Sequence, residues 1–131
     1  MKIIYGGRQS GKTTRLIKVS AENGGYIVCR SKEECNRIFN QATKMGLNIR
    51  FPVTYHEVIT GDYYGRGILE FYIDDVDLFI RTVCRGVRVE AVTFTPFGSL
   101  EKLETPKHVK DMFNKDQVDI DSSSDFSKLI K

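Results

Sequence analysis

The chain is short of everything a stapled or metal-built fold needs. It has three cysteines and two histidines in 131 residues. Cys29, Cys35 and Cys84 are odd in number and show no C-x-x-C spacing. That excludes a disulfide framework and predicts free, buried thiols in a reducing cytosol. His56 and His108 lie far apart, and nothing around them in sequence suggests a metal cluster. No apolar run approaches the roughly 20 residues that cross a bilayer, so no membrane partner is predicted. The chain enters an apolar segment at Lys2-Ile3-Ile4-Tyr5, which argues against a secretory leader and for a cytoplasmic setting. There are no internal repeats.

What is present is ordinary for a globular protein: 40% hydrophobic and 28% charged residues. The length predicts one domain, large enough to bury a core without staples. The net charge of +3 is mild. Residues 1–98 carry 14 Lys and Arg against 10 Asp and Glu, and residues 99–131 carry 6 against 7. A basic body suits either a nucleic-acid partner or positive charge gathered at a phosphate site.

The strongest pattern is Gly6-Gly7-Arg8-Gln9-Ser10-Gly11-Lys12-Thr13. It fits the phosphate-binding loop G-x-x-x-x-G-K-[ST] at every fixed position. Lys2 to Tyr5 reads as a buried strand feeding the loop, and Lys12 to Ile17 as the helix leaving it. Gly6, Gly7 and Gly11 let the backbone curl so that its N–H groups, from Gly6 through Thr14, point at phosphate oxygens. The helix N-terminus adds partial positive charge. Lys12 is expected to reach the β- and γ-phosphates, and the Thr13 hydroxyl to ligate Mg²⁺. The alternative is a glycine-rich turn that binds nothing.

Up to Pro96-Phe97-Gly98 strands and helices alternate, which predicts a parallel α/β sheet over residues 1–98. Asn23-Gly24-Gly25 ends the first helix, and Tyr26 to Cys29 is a short buried strand. Ser31-x-x-Glu34 starts the next helix as a capping box. Its buried face is Cys35, Ile38, Phe39, Ala42 and Met45, and Gly46 ends it. Asn48 to Phe51 reads as a third strand halted by Pro52. Thr54-x-x-Glu57 caps a short helix ending near Gly61. Ile68 to Ile73 is a strand, Val76 to Cys84 a helix capped by Asp75 or Asp77, and Val87 to Thr95 the last core strand. Residues 99–131 read as a partly flexible extension. Thr105-Pro106 starts a short helix to about Asn114, and Asp119 to Asp125 is a linker or tail. Phe126, Leu129 and Ile130 are spaced like one helix face.

Phe71-Tyr72-Ile73-Asp74-Asp75 is an apolar strand ending in two carboxylates, the Walker B arrangement. Asp74 is expected to hold Mg²⁺, with a helix N-cap as the alternative. Asp75 stands where many ATPases carry the glutamate that orients the attacking water; capping a helix is its competing role. Being one methylene shorter than Glu, it predicts slow or partner-dependent hydrolysis. Thr95 or Thr93 is a candidate contact for the γ-phosphate or the water, against the plain β preference of threonine. Arg81, Arg85 and Arg88 are either solvated surface or a source of an arginine finger for a neighbouring subunit. No guanine-selecting N-K-x-D occurs, which favours ATP.

Gly6 to Thr13 with Asp74-Asp75 resembles the P-loop NTPases, in the branch with RecA-like cores. The resemblance implies a three-layer α/β/α fold of about five mostly parallel strands, with phosphates at their C-terminal edge. Three segments resemble the first motor domain of superfamily 1 DNA helicases: Gly7 to Thr14 their motif I, Val53 to Val58 their DNA-touching T-F-H segment, and Ile73 to Asp77 their D-E-x-Q-D box. That implies a nucleic-acid role for Thr54, Tyr55 and His56, with the tyrosine stacking on a base. The family's glutamate and glutamine are replaced by Asp75 and Asp77, and no second motor domain follows. The chain thus looks like a stand-alone ATPase of the compact kind found in bacteriophage genomes, acting in host cytoplasm, alone or as a homo-oligomer. Gly11 to Ile17 and Asp74 to Phe79 are also similar to segments of thymidine kinases, but the cysteines lack that family's zinc-lasso spacing. The expectation is slow Mg²⁺-dependent ATP hydrolysis in DNA metabolism. A nucleoside kinase and a nucleotide-gated binding module are the alternatives.

Overall fold

The computed structural model describes residues 1–95 and 98–106. They form nine elements, in the order β1 (Ile3–Gly6), α1 (Lys12–Asn23), β2 (Tyr26–Cys29), α2 (Lys32–Lys44), β3 (Val53–Thr54), α3 (Tyr55–Thr60), β4 (Phe71–Ile73), α4 (Val76–Val83) and β5 (Leu100–Leu103). All strand pairings are parallel. The chain divides into two compact bodies, one of Met1–Lys12 with the residues from Thr93 onward, the other of Thr13–Val92.

The body Thr13–Val92 has three layers. Its sheet runs β3-β2-β4, with Val28 opposite Val53 on one side and Ile73 on the other. Successive side chains of a strand point to opposite faces, and β2 uses both. Ile27 and Cys29 pack with Ile17 of α1 and Cys35, Ile38 and Ala42 of α2. Val28 packs the other way, with Val53, Tyr55 of α3, and Leu78 and Phe79 of α4. A strand covered on both faces is apolar throughout, which is why Tyr26 to Cys29 shows no alternation. An α/β/α sandwich is therefore present in this body on three strands.

The helix limits follow local rules. Gly24, at φ 82°, stops α1, and its N–H reaches Ser20 O at 2.7 Å. Ser31 accepts from the Glu34 N–H at the start of α2. Thr54 and Glu57 form both halves of a capping box on α3, and Gly61 closes it at φ 80°.

In the other body β1 pairs with β5, Ile3 opposite Leu100 and Gly6 opposite Leu103. Lys2 and Glu101 add an ion pair at 3.0 Å. Gly6 is dictated by closeness: a Cβ there would stand 2.5 Å from Leu103 O and 2.6 Å from Ser10 Oγ.

Three sequence expectations need correction. The five parallel strands lie in two sheets, two strands and three, rather than in one. Asn48 to Phe51 is not a strand; the pairing segment is Val53–Thr54, after Pro52. Proline lacks the ladder donor but is tolerated where a strand begins, so it precedes the strand here. Val87 to Thr95 is not a strand either. Its valines are β-formers, yet Val87 and Val92 are 69% and 63% exposed. β propensity is mostly a preference for packed surroundings, and these residues have none. The strand of that region is Leu100–Leu103, whose central Glu-Lys pair hides it from a hydrophobicity pattern. The expected helix from Thr105 to Asn114, the linker 119–125 and the apolar residues at 126–130 lie beyond the described residues, apart from 105 and 106.

Candidate functional site

The loop after β1 is tightly wound. Gln9 and Gly11 have φ of 54° and 88°. The Ser10 hydroxyl donates to Gly7 O at 2.8 Å. Lys12 turns its ammonium into the loop, donating to Gly6 O at 2.9 Å and also to Gly7 O, with Ser10 Oγ 3.5 Å away. Thr105 Oγ1 donates to Arg8 O at 3.0 Å. Thr95 and Thr93 lie in the same body as this loop, exposed and in no strand, so the expected sensor strand does not support either one.

Within the body Thr13–Val92, a cavity of about 330 Å³ is lined by Thr13, Cys29, Arg30, Glu34, Arg37, Tyr55, Asp74, Asp75 and Leu78. Thr13 Oγ1 stands 3.2 and 3.3 Å from the two carboxylate oxygens of Asp74. β4 delivers Asp74 there, and its N–H is fixed on Val28 O at 2.9 Å, continuing the ladder one residue past Ile73. The hydroxyl of the residue after Lys12 and the carboxylate at the end of β4 thus meet. Thr14 points elsewhere, its hydroxyl accepting from Gln41 Nε2 at 2.9 Å and joining α1 to α2.

Asp75 is the residue before α4, but in the left-handed region at φ 63° and with no side-chain cap bond. Its helix-cap alternative is not realised. Its carboxyl is instead hydrogen-bonded to that of Asp77. That bond, with burial and the charges of Asp77 and Asp74, pushes the Asp75 pKa up to about 6, while Asp77 is held below the usual carboxylate range. Two carboxyls sharing one proton separate in this way. Arg81 reaches Asp77 at 3.6 Å, and Arg88 pairs with Glu90.

The opposite wall was not legible as a site. Arg37 grips Glu34 through Nε and Nη2, at 3.1 and 2.8 Å, and Arg30 lies 3.6 Å from the same carboxylate. The Arg37 hydrogen bonds hold Glu34 below the ordinary carboxylate range. The cavity therefore has three carboxylates and two guanidiniums on its wall. Sequence marked Glu34 only as a helix-start residue and passed over both arginines; their i, i+3 and i, i+4 spacing around Glu34 was the one available signal.

The nucleic-acid residues are placed differently from expectation. Tyr55 is 2% exposed, packed edge-on against Phe79 with ring centres 5.2 Å apart. Its hydroxyl donates to the backbone oxygens of Asp74 and of Asp75, the latter at 3.1 Å. A ring enclosed in this way offers no face for base stacking. Thr54, 6% exposed, is spent on the capping box. His56 is exposed.

Thr13 and Asp74 supply hard oxygens suited to Mg²⁺, an ion that usually takes one or two protein oxygens and completes its shell with phosphates and water. Among the described residues no group of three or more His, Cys, Asp or Glu is arranged to hold a metal. Among the same residues no helix is long and apolar enough to cross a membrane. No family model, no curated protein and no solved structure matches this chain.

Proposed function

We propose that the chain is a P-loop ATPase that binds Mg·ATP and turns it over slowly. The observation that carries this reading is the meeting of Thr13 with Asp74 across 61 positions of sequence. A glycine-rich turn with no ligand gives no reason for the residue after its lysine to face an acid at the end of a parallel strand. In this reading the loop N–H groups and Lys12 hold the phosphates, which requires the Lys12 ammonium to exchange loop carbonyls for phosphate oxygens. Thr13 and Asp74 hold Mg²⁺, which when bound offsets charge on the β- and γ-phosphates.

Slow turnover follows from Asp75. It is shorter than the glutamate usual at this place, and its carboxyl is engaged with Asp77. That engagement also favours a second reading, a nucleotide-gated binding module with little turnover. A role in DNA metabolism rests on the helicase-like segments, and His56 is the exposed residue among the three they nominate.

Phosphate release from Mg·ATP, measured alone and with single-stranded DNA, double-stranded DNA or thymidine, separates these readings. Slow release without additions supports the ATPase, and acceleration by DNA adds the DNA setting. ATP consumed only with thymidine present assigns a nucleoside kinase instead. Bound nucleotide without release leaves the binding module.

A further inference from the structure

Cys29 ends β2 and Cys35 is the fourth residue of α2. Their Sγ atoms stand 3.1 Å apart. Both side chains are buried, at 2% and 0% exposure, yet Cys29 also lines the 330 Å³ cavity. Cys29 therefore borders a space that a small molecule can enter, and the sulfur of Cys35 lies directly against its own. Packing explains why the two are buried. The 3.1 Å separation is that of a thiol–thiol hydrogen bond, with either sulfur as donor. A disulfide needs about 2.05 Å, so closing the bond asks for roughly 1 Å of approach between the sulfurs.

We propose that Cys29 and Cys35 form a modification site, a dithiol that a peroxide entering the cavity converts to a disulfide. Cys29 sulfur attacks the peroxide, the O–O bond breaks, and one water leaves with a sulfenic acid on Cys29. Cys35 sulfur then displaces that hydroxyl, which leaves as a second water, and the S–S bond forms. The two thiols give up two hydrogens and two electrons, and the peroxide is reduced to two waters. Burial raises both thiol pKa values above the ordinary range, so the first step is slow. The adjacent second thiol then makes the disulfide the product in preference to higher oxides. The new bond ties the end of β2 to the helix that carries Glu34, on the wall of the same cavity.

The test treats the full chain with hydrogen peroxide at neutral pH, then alkylates free thiols under denaturing conditions and reads intact mass and peptides. The expected product is lighter by two hydrogens and alkylated at Cys84 alone. Dithiothreitol should return all three thiols to alkylation. Cys84→Ser should form the same bond. Cys35→Ser should stop at a Cys29 sulfenic acid that a cyclic 1,3-diketone captures. If Cys35→Ser does not fold, the parent chain and Cys84→Ser decide the matter alone. Three alkylatable thiols after treatment, oxidation confined to Cys84, or a disulfide that includes Cys84 overturns the proposal.

Discussion

Tyr55 shows how little a residue's type says about its work. Its hydroxyl holds the two carbonyls of the turn that presents Asp74 and Asp75, while its ring fills the core beside Phe79. Tyr55→Phe keeps the ring and removes the donor. These acceptors are only partly buried, so the lost hydrogen bonding costs about 0.5–1.5 kcal/mol and the variant's unfolding midpoint in denaturant should fall; an unchanged midpoint speaks against the turn-holding role. Asp74→Asn keeps the shape and removes a charge. Nucleotide binding in Mg²⁺ should weaken while binding without the metal stays the same, and an unaltered Mg²⁺ requirement takes Asp74 out of the site. Thr13 and Asp74 were legible because a spaced motif names them. Arg30, Glu34 and Arg37 were not, since their convergence depends on how α2 lies on β2. Tyr55 was assigned to the outside because a motif reports position in sequence, whereas burial is decided by packing.

Helices were read well and strands poorly, for a physical reason. A helix end is a local event: Ser31, the Thr54–Glu57 box and the glycines after Asn23 and Thr60 act within a few residues. A strand exists only when another strand accepts it, so the valines from 87 to 92 suggested a partner that the fold does not give them. Thr54→Ala deletes one half of the α3 capping box and should cost about 1 kcal/mol in chemical unfolding; no loss means Glu57 and Gly61 suffice. Glu34 gives α2 an acid dependence. Arg37 lowers its folded pKa below the ordinary 4.5, so the pair's contribution is present above that pH and fades as pH falls through the lower folded value. Arg37→Gln should therefore be less stable than the parent at neutral pH, with the gap closing below about pH 4.5. Because the Arg37 side chain is 54% exposed, the gap should be small, and a gap that persists in acid points to lost packing of the arginine stem instead.

At the scale of the whole molecule, the composition and element order were enough to predict a mixed α/β chain with parallel strands, which the described residues are. In Thr13–Val92 β2 is covered on both faces, by α1 and α2 on one and by α3 and α4 on the other. The partition of five strands into two sheets was not legible, because pairing depends on contacts distant in sequence. What the molecule does rests on one claim, that the loop from Gly6 to Thr13 holds the phosphates of a nucleotide. The most direct test is equilibrium binding of ATP, with and without Mg²⁺, to the parent chain and to Lys12→Ala, with circular dichroism to confirm that both are folded. The account predicts saturable, Mg²⁺-strengthened binding to the parent and a loss of about tenfold or more in Lys12→Ala, the size of one strong charged contact. Equal affinity in the two chains, or no binding to the parent, would contradict it.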